Sequence, residues 1–151
     1  MNGFKQRHIL TPYIGKGANG AVYAISDSLV AKVDHDDREF HLERELEKSL
    51  DMFNQGISTP KPEGVFIVRI MWPGLNTVCF RARPALVMQR IRGYRGDKVP
   101  PIHIHTAQSL LNQELELCIR RGFYWYHHDK NWVYNPSENR VYLVDADDWH
   151  R

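Results

Sequence analysis

The sequence predicts an α+β fold in which a β-rich half with one helix precedes a second helix and a small hairpin. Two segments, 36–54 and 106–121, carry apolar residues at three- and four-residue spacing, which is typical of amphipathic helices. Six β-prone runs bounded by turn residues lie within the first 91 positions. With 151 residues, 42% apolar and 25% charged, the chain has ordinary globular composition and enough length for a core.

The strands of the first half are predicted from apolar and β-branched runs separated by turn signals. Ser26-Asp27-Ser28 is such a signal, so the runs on either side of it are expected to form a hairpin. Pro73-Gly74 gives a second hairpin turn. The predicted strands are 9–15, 21–25, 29–33, 65–72, 77–83 and 85–91.

The two helices are predicted from their periodicity and their stop signals. In the first, Leu42, Leu46 and Phe53 lie on one face, and Gly56 ends the helix. Gly122 ends the second helix. A loop at 93–101 precedes this second helix, and strands at 132–134 and 141–144 flank a turn at 135–139.

Charge and cysteine content exclude several classes of protein. Twenty basic and 18 acidic residues give a net charge of +2, too balanced to predict a nucleic-acid or membrane-surface partner. No apolar run approaches the roughly 18 residues of a membrane span, and the first residues lack the apolar core of a secretory signal. Cys79 and Cys118 are expected to be free thiols, with a bridge between them as the alternative. These features predict a cytoplasmic protein, or one injected into a host cytosol by a non-Sec route.

A glycine-rich segment carries the first chemical signal. Gly15-Lys16-Gly17-Ala18-Asn19-Gly20-Ala21-Val22 fits the pattern G-x-G-x-x-G-x-V. It is expected to join a strand to a strand, whereas a dinucleotide-binding version joins a strand to a helix. Without Cβ atoms, such a hairpin lets backbone N–H groups approach phosphate oxygens. The alternative is a plain hairpin that binds no ligand.

Lys32 carries the second signal. It lies in the run Val30-Ala31-Lys32-Val33, where apolar neighbours indicate an inward-facing strand residue, although a surface edge strand is the alternative. After a glycine-rich hairpin, a strand lysine is typical of phosphate binding. The helix offers glutamates as ion-pair partners, and Glu43 is preferred because apolar residues follow it at +3 and +7. The other glutamates of this helix are Glu39, Glu45 and Glu47.

The third signal is a group of acidic and amide residues near the end of the chain. Asp129 and Asn131 precede a short strand, and Asp145 follows the next apolar strand. Oxygen ligands of this kind suit Mg²⁺ beside phosphates. A zinc site is a less favoured alternative, because His127 and His128 are adjacent. Two other histidines of this half, His103 and His105, are expected in a Pro-rich loop.

In their order along the chain, these landmarks resemble those of the protein-kinase-like superfamily. In style, the chain is most similar to the minimal kinases of bacterial effectors and viruses. The resemblance implies ATP and Mg²⁺ as cofactors, with Lys32 on the phosphates and paired with Glu43. It implies Asp129 as the catalytic aspartate. It assigns nucleotide binding to Gly15, Lys16, Gly17, Ala18, Asn19, Gly20, Val22, Ala31, Lys32, Glu43, Met88 as gatekeeper, and the backbone of Gln89 and Ile91. It assigns metal binding to Asn131 and Asp145, with Asp147 assisting.

The resemblance also divides the chain and marks departures from the family. Residues 1–91 would be the N-lobe, an antiparallel sheet with one helix, and residues 92–151 the hinge and a truncated C-lobe. The family places four residues between its catalytic Asp and Asn, whereas one residue separates Asp129 from Asn131 and five separate it from Asn135. Asn131 is preferred because the strand 132–134 then follows it. Only four residues follow Asp147, so an activation segment is expected to be absent.

The function implied by the resemblance is that of a minimal protein kinase. Such an enzyme transfers the γ-phosphoryl group of ATP to Ser, Thr or Tyr hydroxyls of a protein substrate. A small-molecule phosphotransferase is the second hypothesis, favoured by the Asp145-Ala146-Asp147 ending. A nucleotide-binding pseudokinase that acts as an interaction module is the third, favoured by the short Asp129–Asn131 spacing.

Overall fold

A computed structural model describes residues 6–9, 13–16, 20–34, 39–73, 78–125, 131–144 and 149–150. These residues form an α+β arrangement, which confirms the predicted class. The strands are β1 (Gln6–Ile9), β2 (Tyr13–Lys16), β3 (Gly20–Ala24), β4 (Leu29–Asp34), β5 (Pro62–Pro73), β6 (Val78–Gln89), β7 (Tyr94–Arg95), β8 (Tyr124–Trp125), β9 (Trp132–Asn135), β10 (Arg140–Leu143) and β11 (Trp149–His150). The helices are α1 (Glu39–Asn54) and α2 (Pro101–Arg120), with a 3-10 turn at Gly96–Lys98.

The largest sheet has six strands in the order β1-β5-β6-β4-β3-β2. Its neighbours are antiparallel except for β1 and β5, which run parallel, so the expectation of a wholly antiparallel sheet is wrong at this edge. Smaller sheets have the orders β10-β9-β7 and β11-β8.

The long β5–β6 hairpin replaces three predicted strands. β6 continues through Pro84, which pairs with Ile67 of β5, where the sequence predicts a break. Proline cannot donate a ladder hydrogen bond, so it needs a position without a partner on its N–H side. The described pairing of β6 with β4 covers only Leu86 to Gln89, so Pro84 lies beyond it. A single twelve-residue strand therefore tolerates this proline.

The chain divides into two compact units, Met1–Glu47 with Pro62–Arg90, and Lys48–Lys61 with Ile91–Arg151. The boundary after Arg90 lies close to the expected boundary at 91. Residues 48–61 depart from the predicted division, because they belong to the second unit and not to the first. Met52 and Ile57 are buried in the cluster formed by α2, β9 and β10, and the Leu143 N–H donates to the Ser58 carbonyl at 2.8 Å. The second half of α1 is therefore part of the second unit's core.

The first unit has a buried cluster on each face of its sheet. Because strand side chains alternate between faces, Ala31 and Val33 point to one side and Lys32 to the other. The cluster on the side of Ala31 comprises Ala31, Val33, Val68, Ile70, Ala85 and Val87. On the side of Lys32, the buried residues Leu42, Val65 and Leu86 pack with Leu46 and Met88 of α1 and β6. The N-terminal half of α1 thus covers the face that carries Lys32.

The core of the second unit is built on Trp132, whose side chain is fully buried. Its Nε1 is the buried polar side-chain atom without a hydrogen-bond partner within the described ranges. Cys118 is a buried free thiol, as expected, and burial, with a smaller contribution from Glu114, raises its pKa to about 12. The side chain of Cys79 lies outside the described part.

Helix α2 begins at Pro101, five residues before the predicted start at 106. A proline at the first helical position is favourable because its missing N–H has no helical partner there and its φ is already helical. His103 and His105 therefore lie in the first turns of a helix, and the prediction that they lie in a Pro-rich loop is wrong. The His103 ring stacks on that of Tyr94 and packs at a tilt against that of Tyr134, with centroid distances of 6.1 and 5.7 Å. None of the helices described here has the length and apolar character that crossing a membrane requires.

Replacing Gly93 by alanine should destabilise the second unit strongly. Gly93 has a φ of +140°, and a Cβ there would lie 2.2 Å from the Tyr134 carbonyl oxygen. Backbone cannot move aside as a flexible side chain can, so we expect Gly93→Ala to lower the free energy of unfolding by about 3 kcal/mol or more. Gly122→Ala is the control, because Gly122 has a φ of +83° with open space around it, and about 1 kcal/mol is expected there. Urea denaturation measures both, and equal losses would contradict the proposed clash.

Candidate functional site

The candidate site is built on strand β4, at the position of Lys32. The side chains of directly paired residues share a face of the sheet, so Val22 of β3, Lys32 and Leu86 of β6 form one row across it. The glycine-rich segment begins in β2 and ends in β3, with Gly15 paired to Val22 and Lys16 to Ala21. It therefore joins strand to strand, as the sequence predicts. Residues 17–19 lie outside the described ranges.

Lys32 forms a buried ion pair with Glu45 of α1. The Lys32 Nζ donates to Glu45 Oε1 at 2.8 Å and to Oε2 at 3.0 Å, and the two residues are 8% and 2% exposed. Removing two charges from water costs several kcal/mol per ion, which an ion pair offsets only when its geometry is good. Contact with both carboxylate oxygens supplies such geometry. The pair fixes the ammonium group on one face of the sheet.

The prediction that Glu43 pairs with Lys32 is wrong, because Glu43 is exposed and Glu45 occupies that role. Glu43 precedes Leu46 and Leu50 at the spacing of a helical stripe, but Leu50 is exposed as well. The buried face of α1 is instead the set Leu42, Glu45, Ser49 and Met52. Its spacing of three, four and three residues was readable from the sequence. Because Glu45 and Ser49 are polar, this stripe is less apolar than the stripe that contains Leu46 and Leu50.

The placement of Ala31 beside Lys32 in one binding site is also wrong. The two residues are adjacent on a strand, so their side chains point to opposite faces. Ala31 is buried in the cluster on the far side of the sheet. Val30, two residues before Lys32, shares its face and pairs with Met88 of β6. Val30 is therefore the residue that β4 contributes beside the lysine.

The expected hinge residues lie at the end of β6. Met88 is half-buried, packs with the cluster on the Lys32 face and lies opposite Val30. Gln89 is the last residue of β6 and pairs with Leu29. Ile91 is the first residue assigned to the second unit after this strand. The gatekeeper position expected for Met88 therefore shares a sheet face with Lys32.

Of the expected catalytic and metal-binding residues, Asn131 lies within the described ranges. It is 8% exposed, and its carbonyl oxygen accepts a hydrogen bond of 2.9 Å from the Val144 N–H. Asn131 therefore lies across from the residue that precedes Asp145. Asp129, Asp145 and Asp147 lie outside the described residues, as do His127 and His128.

Asn135, the alternative metal ligand, lies at the other end of the β9–β10 hairpin. Its Oδ1 accepts from the Glu138 N–H at 3.1 Å, and its Nδ2 donates to Glu138 Oε1 at 3.1 Å. These bonds stabilise the turn itself. The side chain of Asn135 thus has a structural role in its own turn. Within the described part of the chain, no three His, Cys, Asp or Glu residues are grouped to hold a metal ion.

Comparison with protein-family models gives no match for this chain, and comparison with curated proteins gives none either. The interpretation of the site therefore depends on its own geometry and chemistry.

Removing only one partner of the buried ion pair should destabilise the first unit. Lys32→Met removes the ammonium group from which both Glu45 carboxylate oxygens accept, so we expect a loss of about 3–5 kcal/mol in the free energy of unfolding. The double variant Lys32→Met/Glu45→Leu removes both charges and should recover most of that loss. Glu43→Gln, on the same helix but exposed, should change stability by no more than about 0.5 kcal/mol. Urea denaturation of these three variants and of Glu45→Leu measures the coupling, and additive losses would contradict the pairing.

Proposed function

We propose that this protein is an ATP- and Mg²⁺-dependent phosphotransferase with a protein-kinase-like fold, acting on hydroxyl groups of a protein substrate. The observation that carries the proposal is the buried Lys32–Glu45 pair, on the strand that follows a glycine-rich hairpin. In protein kinases an ion pair between a strand lysine and a helix glutamate holds the lysine on the nucleotide phosphates. A buried lysine held by a bidentate contact is rigid, which suits this role.

Lys32 would act by binding the α- and β-phosphates of ATP. Its ammonium group carries three donors, and Glu45 accepts from it through both carboxylate oxygens. In a site shielded from water, a fixed positive charge stabilises phosphate charge more strongly than a solvated one. The preorganised ammonium would not have to reorient when the nucleotide arrives. Glu45 is then a positioning residue, because it acts through Lys32.

The surroundings of Lys32 on its sheet face suit a nucleotide. Val22 and Val30 lie on that face with Lys32, and Met88 lies opposite Val30. Such apolar side chains favour contact with a planar base. The glycine-rich segment enters β3 directly beside this row and offers backbone N–H groups to phosphates. The first unit thus carries groups that suit both the base and the phosphates of a nucleotide.

Metal ligands and an acceptor-orienting group would come from the segment 129–147. Asn131 fits a metal-binding role because it is buried and its side chain has an amide oxygen. Its backbone is hydrogen-bonded to Val144, the residue that precedes Asp145 in the chain. Asp145 would be the second ligand, with Asp147 assisting, and Asp129 would orient the acceptor hydroxyl. Mg²⁺, when bound, neutralises the charge of the β- and γ-phosphates.

ATP with millimolar Mg²⁺ should stabilise this protein against unfolding. At about one hundred times its dissociation constant, a ligand that binds only the folded state contributes roughly 2.7 kcal/mol. A thermal-shift titration measures the effect. Lys32→Met/Glu45→Leu is the control, because it is expected to stay folded without the ammonium group and should show a much smaller shift. If no nucleotide stabilises the wild-type protein at saturating concentration, the proposed function is wrong.

The three asparagine and aspartate positions should differ in their effects on turnover and nucleotide binding. Asp129→Asn should cut turnover at least 10²-fold with ATP affinity nearly unchanged, because this residue would touch the acceptor alone. Asn131→Ala should weaken Mg²⁺-dependent ATP binding as well as turnover. Asn135→Ala is the matched control and should change neither, because its side chain bonds its own turn.

Transfer of radiolabel from γ-labelled ATP measures turnover in these variants and also distinguishes the candidate functions. Label on protein supports the kinase proposal. Label on small alcohols alone would indicate a small-molecule phosphotransferase. ATP binding without transfer to either acceptor would indicate a nucleotide-binding interaction module. Loss of Mg²⁺-dependent binding in Asn135→Ala, with Asn131→Ala unaffected, would contradict the assignment of the metal ligand.

A further inference from the structure

The C-terminal end of α2 carries exposed apolar and cationic side chains close together in the chain. Ile119, in the last turn of the helix, is 62% exposed, and Tyr124, the first residue of β8, is 60% exposed. Arg120 and Arg121 lie between them and are exposed as well. We call these four residues the α2-end surface. The sequence analysis singled out none of them.

The way in which α2 ends brings these residues to one place. Gly122 has a φ of +83°, and its N–H donates to the Ile119 carbonyl at 3.1 Å. The Phe123 N–H donates to the Cys118 carbonyl at 2.9 Å. These two bonds form a Schellman motif, which reverses the chain directly after the last helical turn. Phe123 and Cys118 are buried in one cluster, so the core holds the reversal in place and Tyr124 follows beside the end of the helix.

The α2-end surface carries two positive charges. Within the described ranges, neither Arg120 nor Arg121 takes part in an ion pair. The acidic residues of the preceding turns do not neutralise them. The Glu114 carboxylate accepts a bond from the Ser58 N–H, and Glu116, one turn before Arg120, is exposed and forms no ion pair with it. The surface is therefore electrostatically complementary to an acidic partner.

A purely structural role would explain only the charges. Cations in the last turn of a helix interact favourably with the helix dipole, which suits Arg120 and Arg121. The dipole does not explain why Ile119 and Tyr124 are exposed beside them. An exposed apolar residue is ordinary when it stands alone, whereas tyrosine and arginine together are enriched at the energetic centres of protein interfaces.

The chemistry of these side chains favours a protein partner with carboxylate groups. A guanidinium group donates two parallel hydrogen bonds to a carboxylate, and an apolar side chain of the same partner could pack on Ile119 and Tyr124. Nucleic acid is less favoured, because the net charge of the whole chain is only +2.

We propose that the α2-end surface binds an acidic protein segment. Asp or Glu side chains of that segment contact Arg120 and Arg121, and an apolar side chain packs on Ile119 and Tyr124. This inference goes beyond the proposed function and does not depend on it, because none of the four residues belongs to the proposed nucleotide site.

Fluorescence anisotropy with short labelled peptides tests the proposal. The probe is a run of Asp and Glu interrupted by leucines, and we expect it to bind the wild-type protein with a dissociation constant in the micromolar range. A peptide with Lys in place of the acidic residues, and one with Ser in place of the leucines, should each bind at least about tenfold more weakly.

Variants of the protein locate the binding. Arg120→Gln/Arg121→Gln and Ile119→Ser/Tyr124→Ser should each raise the dissociation constant of the acidic probe about tenfold or more. Lys98→Gln/Ile102→Ser is the matched control, because it removes an exposed cation and an 85% exposed isoleucine near the other end of α2. It should leave the constant within about twofold of wild type. Urea denaturation checks that each variant is folded, as expected for changes of exposed side chains.

Several results would overturn the proposal. These are no binding of the acidic probe, equal binding of the Lys-containing peptide, or an unchanged constant in Arg120→Gln/Arg121→Gln. Tighter binding of a single-stranded RNA than of the acidic probe would assign the arginines to nucleic acid instead. Self-association of the wild-type protein in analytical ultracentrifugation, abolished by Ile119→Ser/Tyr124→Ser, would assign the surface to a second copy of the chain and would also refute the proposal.

Discussion

A lysine and a glutamate buried together against the six-stranded sheet constrain how the first unit is built. Lys32 and Glu45 are each costly to bury alone, so the strand and the helix that carry them must meet in one geometry. The alternation of β4 puts Lys32 on the face that α1 covers. The same alternation sends Ala31 and Val33 to the other face, where they form an apolar cluster. Helix α1 can therefore cover the Lys32 face although its buried stripe contains the charged residue Glu45.

Each of the two units has a core of its own. In the first, the strand-to-strand glycine-rich segment adjoins the row of Val22 and Lys32. In the second, the β9–β10 hairpin puts Asn131 at the end that leads to Asp145 and Asn135 at its turn. Residues 48–61 pack in the second unit although they precede β5 in the chain. The segment at Ser58 is held there by three hydrogen bonds. The Leu143 N–H and the Arg140 Nε donate to the Ser58 carbonyl and hydroxyl oxygens, and the Ser58 N–H donates to the Glu114 carboxylate.

The sequence predicted those features that depend on local chemistry. The inward position of Lys32, the glycine-rich hairpin and the strands around the turn at 135–139 follow from apolar flanks and turn residues. Features set by packing were harder to predict. Glu45 was missed because the buried face of α1 contains polar residues whose partners come from the sheet. Continuity of β6 through Pro84 depends on which neighbour pairs there, which a single sequence does not display.

The central claim is that the Lys32–Glu45 pair holds an ammonium group ready for nucleotide phosphates. A crystal structure with a non-hydrolysable ATP analogue and Mg²⁺ tests it most directly. The account predicts the analogue on the sheet face of Val22, Val30 and Met88, with the Lys32 Nζ within about 3 Å of phosphate oxygens and still bonded to Glu45. An analogue bound elsewhere, with its phosphates remote from Lys32, would contradict the claim.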